Sequence, residues 1–319
     1  MPKPLLLNNL QPPPILLLLL LLLLLTAFTS PSLAVVNSAG CGKHHDFIGS
    51  SRNFTIQSDD RKRSYLVHLP KAYRPDVTTP LLLAFHGASN NPSKFERQTR
   101  FSDERVNWHM IVVYPAGFHE HWEGPSYATP GIDDKAFISR LIEHLLDHYC
   151  IDRSRIYGTG HSNGAGFLAD YACSRRHGNH LAAIAPVSGA FYADARPGAN
   201  ARCRPDHLPL PVMEVHGTAD ESAPYDGGDG RGGPLPSIPE WVGRWAKRDG
   251  CYGQSVDHVL SGGRVHDLRW EPCAGRHKGV LRHVRIDGWP HKWPGPDSPF
   301  DASAAVVEFL TSHYGEARD

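Results

Sequence analysis

Residues 158–166 read GTGHSNGAG, with side chains of almost no bulk packed around one hydroxyl, that of Ser162. The residues just before, Arg155-Ile156-Tyr157, read as a β-strand, and FLADYACSRR (167–176) just after reads as a helix. Gly160-His161-Ser162-Asn163-Gly164 satisfies G-x-S-x-G, which between a strand and a helix makes a sharp turn that lifts a serine clear of a sheet. Side chains two before and two after the serine would strike the neighbouring strand and helix, so glycine stands at both places. The helix that follows aims the positive end of its dipole at any charge formed there. Alone, the pentapeptide is a tight turn; in this context Ser162 is a candidate nucleophile. Ser188 is a rival at another strand end, but Pro186 stands where the turn needs glycine.

The flanking pattern sets the fold class. NFTIQ (53–57) and RSYLVHLP (63–70) alternate around polar SDDRK and predict a hairpin. LLLAF (81–85) and MIVVYP (110–115) are continuous apolar runs, the mark of strands buried on both faces. In DKAFISRLIEHLLDHY (134–149) the apolar residues Phe137, Ile138, Leu141, Ile142, Leu145 and Leu146 fall on one helical stripe. HLAAIAPVSG (180–189), PVMEVHG (211–217) and VLRHVRIDG (280–288) predict further strands. PEWVGRWAKRDG (239–250) predicts a helix stopped by Gly250, and Asp301 caps a last helix through Tyr314 with Gly315 behind it. The Gly-rich stretch DGGDGRGGP (226–234) reads as a loop. Strands alternating with helices imply a mostly parallel sheet covered on both sides, with ligands beyond the carboxyl ends of its strands.

Composition narrows the function classes. Lys+Arg and Asp+Glu stand at 33 each, so the surplus of positive charge that a nucleic-acid binder needs is absent. Lys3, an apolar run from Ile15 to Leu25 and the small residues of Ser32-Leu33-Ala34 predict a secretory signal peptide over 1–34. The run is shorter than the roughly 18–20 residues of a membrane span. The rest, 35–319, is expected as one soluble, extracellular domain with no membrane attachment after cleavage. Cys41, Cys150, Cys173, Cys203, Cys251 and Cys273 suggest disulfides in a secreted chain, with the pairing open. Asn53-Phe54-Thr55 is a glycosylation sequon.

A serine needs a base, and the base needs an acid to orient it; on such a sheet their chain order is Ser, Asp or Glu, then His. VMEVHGTAD (212–220) runs off a strand and delivers Asp220, favoured over the adjacent Glu221. RIDGWPHKWPG (285–295) runs off the last strand and delivers His291, whereas His283 lies inside that strand. Acyl transfer also needs backbone donors for its oxyanion. Asn163 directly after the serine is one, and Ala88 in the His86-Gly87-Ala88-Ser89 loop is the other, with Ser89 as the alternative. Trp122, Tyr225, Trp289 and Trp293 lie in loops near the strand ends; Tyr225, Trp289 and Trp122 are taken as candidate aromatic walls of a cleft. Asp133 and Asp134 read as helix caps, and His119-Glu120-His121 as a solvated loop rather than a metal site. No phosphate-binding loop is present. No cofactor, metal or protein partner is expected.

Taken together, GCGK (40–43), YCIDRSRIYGTGHSNGAGF (149–167), APVSGAFY (185–192), EVHGTADESAPYDGG (214–228), LPSIPEWVGRWAKRDG (235–250) and GWPHKWPG (288–295) resemble secreted fungal feruloyl esterases of the C group, with relatives among polyhydroxybutyrate-depolymerase-like esterases. The resemblance implies an α/β-hydrolase that releases ferulic acid from arabinoxylan, with Ser162 as nucleophile, Asp220 as acid and His291 as base. Other readings are an acetylxylan esterase, a polyhydroxyalkanoate depolymerase, or a binding protein on a decayed hydrolase scaffold. The chain departs from the family at Pro290, where glycine tends to precede the histidine, and at Pro234, where a cysteine tends to precede LPSIP. It gains Cys251 and Cys273, a candidate pair, so no disulfide map is carried over.

Overall fold

The computed structural model describes residues 38–274 and 280–313. The expected signal peptide, its cleavage point, and Tyr314 and Gly315 lie outside them. The strands are β1 (Ser50–Ser58), β2 (Arg61–Leu69), β3 (Thr79–Phe85), β4 (Ile111–Pro115), β5 (Ile151–His161), β6 (Ala183–Val187), β7 (Val212–Gly217), β8 (Gly228–Gly230), β9 (Gly233–Leu235), β10 (Val256–Leu260), β11 (Val265–Trp270) and β12 (Leu281–Ile286). The main helices are α1 (Pro92–Thr99), α2 (Asp134–His148), α3 (Asn163–Ala172), α4 (Ile238–Arg248) and α5 (Ala302–Ser312).

Ten strands form one sheet in the order β1-β2-β4-β3-β5-β6-β7-β12-β11-β10. The centre, from β4 through β12, is parallel. The wings, β1-β2-β4 and β12-β11-β10, are antiparallel. All seven residues of β3 are buried, as its unbroken apolar run demands. Its side chains alternate between two cores. Leu81, Leu83 and Phe85 join the core under α2, α3 and α4, while Leu82 and Ala84 join the core under α1 and α5. The predicted stripe of α2, Phe137 through Leu146, faces the first of these cores.

The chain crosses from β3 to β4 on one side and then returns past β3 to β5. This reversal between β3 and β5 opens a crevice at their carboxyl ends, where a doubly wound sheet binds its ligand. The loop after β3 carries His86-Gly87-Ala88, and the turn after β5 carries Ser162.

Two expectations need adjustment, and three elements lie outside those expected. DGGDGRGGP is not featureless: it contains most of the β8–β9 hairpin. The α1 helix escapes a pattern reading because only Phe95 and Thr99 of its eight residues are buried. β10 and β11 lie outside the expected strands; β10 is an exposed edge strand with no buried face to impose alternation. The helix after Ser162 starts four residues earlier than FLADY suggests, at Asn163, and stops before Cys173.

Three disulfides join Cys41–Cys150, Cys173–Cys203 and Cys251–Cys273. They close segments of 109, 30 and 22 residues. Loop-closure entropy assigns about 5 kcal/mol to the longest and about 3 kcal/mol to the shortest. Replacing Cys41 and Cys150 together by Ala is therefore expected to lower stability more than replacing Cys251 and Cys273, as read from denaturant midpoints of the two variants.

Candidate active site

The turn between β5 and α3 holds Ser162 at φ 55° and ψ −120°, a region that side chains rarely occupy. Such a backbone costs on the order of 1–3 kcal/mol and persists only where its surroundings hold it. Here the Ser162 N–H donates to the Val187 carbonyl at 3.1 Å, and its own carbonyl accepts from Gly166 and Ala190, each at 3.0 Å. The turn is also crowded. A Cβ on Gly160 would lie 2.8 Å from the Gly164 carbonyl carbon, and one on Gly164 would lie 2.3 Å from the His86 oxygen. The two flanking glycines are thus forced by backbone approach.

Two distant loops meet this serine. The turn after β7 presents Asp220, whose Oδ1 accepts from the N–H groups of Ser222 (2.9 Å) and Ala223 (2.8 Å). The loop after β12 presents His291 and is stapled to the first: the Ala219 N–H donates to the Trp289 carbonyl (3.1 Å) and the Gly288 N–H to Thr218 Oγ1 (2.8 Å). His291 Nδ1 lies 2.6 Å from Asp220 Oδ2, and His291 Nε2 lies 2.8 Å from Ser162 Oγ. Burial alone would raise the Asp220 carboxyl, but hydrogen bonds from His216 and His291 and their charges drive it far below the usual carboxylate range.

The loop after β3 supplies the other wall. His86 Nε2 accepts from the Gly117 N–H (3.0 Å), which leaves the proton on Nδ1 to donate to the Gly87 carbonyl (2.7 Å). Burial pushes this imidazole down to about 4, so it stays neutral and holds the loop. The Ser89 N–H is committed to the Glu120 carbonyl at 3.0 Å. Ala88 lines the depression at Ser162. Asn163 opens α3, so its N–H lies ahead of that helix's own hydrogen-bond ladder. An open hollow of about 410 Å³ surrounds the hydroxyl, walled by Ala88, Ser89, Asn90, Lys94, Gln98, His161 and His291. A larger one, about 640 Å³, opens between the 123–132 loop and the β8–β9 hairpin, and none of Ser162, Asp220 and His291 lines it.

No protein-family model matches the chain. It is 28% identical over 210 residues to a probable feruloyl esterase C of Aspergillus clavatus, a match covering 64% of this chain and 70% of that protein. With the probable feruloyl esterase C of Aspergillus terreus it shares 25% over 285 residues, 87% of this chain and 92% of the other. A bifunctional acetylxylan esterase/xylanase of Neocallimastix patriciarum is 30% identical over 237 residues, 72% of this chain but 31% of that longer protein. Among solved structures, the acetyl xylan esterase from Aspergillus awamori superposes with a TM-score of 0.58 at 14% identity, over 82% of this chain and 99% of that one. The CE1 ferulic acid esterase of Anaeromyces mucronatus superposes with a TM-score of 0.51 at 17% identity, over 82% and 90%. The fold is the α/β-hydrolase fold, and the chain resembles feruloyl esterase C. It is a carboxylic ester hydrolase.

Of the candidate aromatic walls, Trp122 is corrected by its burial, and Tyr225 and Trp289 do not line this hollow. Trp122 is wholly buried, stacked on Phe167 at 5.0 Å, with its indole N–H donating to the His86 carbonyl at 2.9 Å. Its main chain is clamped by the Asn163 side chain, which accepts from the Trp122 N–H (2.8 Å) and donates to its carbonyl (3.1 Å). Trp122 braces the turn from beneath. The Tyr225 hydroxyl is engaged with His283 Nε2 at 2.9 Å. Trp289 is half-buried, its N–H donating to the Lys292 carbonyl at 2.8 Å. Trp293, also near the strand ends, is buried and bonds Ser303. None of the four lines the hollow at Ser162. Loop position in a sequence cannot tell a ring beneath a turn from one above it. The rival Ser188 is buried and likewise does not line the hollow.

Gly164→Ala would press a methyl into the His86 carbonyl. The variant is expected to lose reactivity of Ser162 toward a fluorophosphonate probe and several degrees of Tm. Retention of both would show that the turn tolerates a side chain there.

Proposed function

We propose that Ser162, His291 and Asp220 form the catalytic triad of a secreted serine esterase that hydrolyses feruloyl esters of plant cell-wall arabinoxylan. The observation that carries this reading is the continuous contact from Asp220 through His291 to Ser162, at 2.6 and 2.8 Å. In it, Asp220 fixes the tautomer of His291 by accepting the Nδ1 proton, leaving Nε2 free to take the serine proton. Ser162 Oγ then attacks the ester carbonyl. The oxyanion accepts hydrogen bonds from the N–H groups of Ala88 and Asn163. Collapse breaks the bond from the carbonyl carbon to the sugar oxygen, which takes the proton from His291 and leaves as a hydroxyl, and an acyl-serine remains. A water deprotonated by the same imidazole attacks the acyl group and releases the carboxylic acid. No cofactor enters these steps. Secretion rests on the expected leader at 1–34 and fits the three disulfides.

The relatives named as feruloyl esterases support the aromatic acyl group. One observation favours a second reading, an acetyl ester of xylan. Beside His161 and His291, the hollow at Ser162 is walled by Ser89, Asn90, Lys94 and Gln98, with no Phe, Tyr or Trp ring. Those polar groups suit sugar hydroxyls and offer a planar phenolic acid no large apolar ring.

Ser162→Ala is expected to abolish turnover while the protein stays folded, and Asp220→Asn to lower kcat by roughly 10⁴-fold. Near-normal hydrolysis by the Ser162 variant would refute the triad. Rates on methyl ferulate, methyl p-coumarate, acetylated xylan and a polyhydroxybutyrate film decide the acyl group, and a preference for acetylated xylan would select the second reading.

A further inference from the structure

A second acid–imidazole pair stands behind Asp220, outside the steps just described. Glu214 and His216 are two apart on β7, so they point to the same face of the sheet. Both side chains are fully shielded from solvent. His216 Nδ1 lies 2.8 Å from Glu214 Oε1. Its Nε2 lies 2.8 Å from the Ala223 carbonyl and 3.3 Å from Asp220 Oδ2. Every one of these neighbours is an acceptor. A neutral imidazole carries a single N–H, so either tautomer would aim a bare lone pair at an oxygen. With Glu214 ionised, only the doubly protonated ring satisfies both sides.

The surroundings agree. Burial opposes a charge on His216, but attraction to Glu214 and the hydrogen bonds to Asp220 and Glu214 reverse this and raise the ring to about 10. Glu214, although buried, is held below its ordinary value by His216. From β12, His283 Nδ1 stands 2.8 Å from Glu214 Oε2, and Tyr225 meets its Nε2. Arg285, the register partner of His216 on β12, turns to Asp287 at 2.9 Å. From the end of β5, His161 faces the same field, and burial followed by repulsion from His291 keeps it neutral. β6 contributes no titratable side chain.

We propose that His216 is a standing buried imidazolium, counter-charged by Glu214, that positions Asp220 and opposes premature protonation of His291. The inference rests on the triad reading and adds a positioning residue to it. Asp220 Oδ2 is shared between two imidazoles, one permanently charged and one charged only while it carries the serine proton. With Glu214 and Asp220 ionised, the cluster carries one net negative charge at rest and none when His291 is protonated. His216 meets Asp220 through Nε2 and Glu214 through the opposite ring nitrogen, so its positive charge stands between the two acids and weakens the pull that a lone carboxylate would exert on a proton at His291.

The test joins a spectroscopic and a kinetic arm. In ¹⁵N-histidine-labelled enzyme at pH 7.5, assigned with His216→Gln, both ring nitrogens of His216 are expected to show imidazolium shifts. One unprotonated ring nitrogen overturns the proposal. The double variant Glu214→Gln/His216→Gln replaces the ion pair by a neutral hydrogen-bonded pair. Its kcat is expected to fall by up to roughly 10²-fold with KM little changed. The acid limb of its pH profile is expected to move upward by about half a unit or more. A folded double variant with an unmoved acid limb overturns the proposal; if that variant does not fold, the spectra of the unaltered enzyme decide. Fluorophosphonate labelling keeps the two readings apart. Absence of label at Ser162 defeats the triad, whereas labelled enzyme with a neutral His216 defeats this inference alone.

Discussion

The β5–α3 turn is the constraint on which the rest depends. Ser162 is held in a left-handed backbone because its carbonyl and N–H are both captured by neighbouring segments. That geometry works only because Gly160 and Gly164 let three backbones approach to contact. Everything else at the site is arranged around a hydroxyl whose position is thereby fixed. The loop after β3 is braced by neutral His86 and buried Trp122, and the loops after β7 and β12 are stapled together by main-chain hydrogen bonds. Strain at one residue is stabilised by cohesion in four surrounding elements.

The same economy appears in the electrostatics. The core beneath the site contains Glu214, His216 and Asp220, all shielded from water, a costly set of charges unless each is paired. They are paired in alternation, acid, imidazole, acid, with His291 as the next imidazole in line. The outermost imidazole is the one that meets the hollow, and it is the only one of the two on the path to Ser162. An orderly buried series thus ends in one imidazole nitrogen 2.8 Å from Ser162 Oγ.

The antiparallel wings and the polar hollow set this chain's own character within an ordinary α/β-hydrolase centre. The hollow offers Asn90, Lys94 and Gln98 to a ligand, from the loop and helix that follow β3. The rings that composition places near the strand ends serve packing instead: Trp122 under the turn, Trp293 against Phe95 and Phe101, and Tyr225 against His283. Where these rings lie is therefore a property of loop arrangement and not of aromatic content.

Local sequence alone determined the elements whose physics is local. Unbroken apolar runs predict β3 and β4, a 3.6-residue stripe predicts α2, and glycines about Ser162 predict the turn, because side-chain periodicity and backbone crowding act within a few residues. It also named Asp220 and His291, because chain order and strand ends restrict the choice. What only the tertiary structure decided involves contacts between distant segments. The burial of Trp122, the commitment of Ser89's N–H to Glu120, and the exposed edge strand β10 depend on what packs across from them. Nothing in VMEVHGTAD singles out His216. Its setting between Glu214 and Asp220 exists only once β7 and the following turn are folded against β12, since a charge state is set by every group within reach and not by neighbours along the chain.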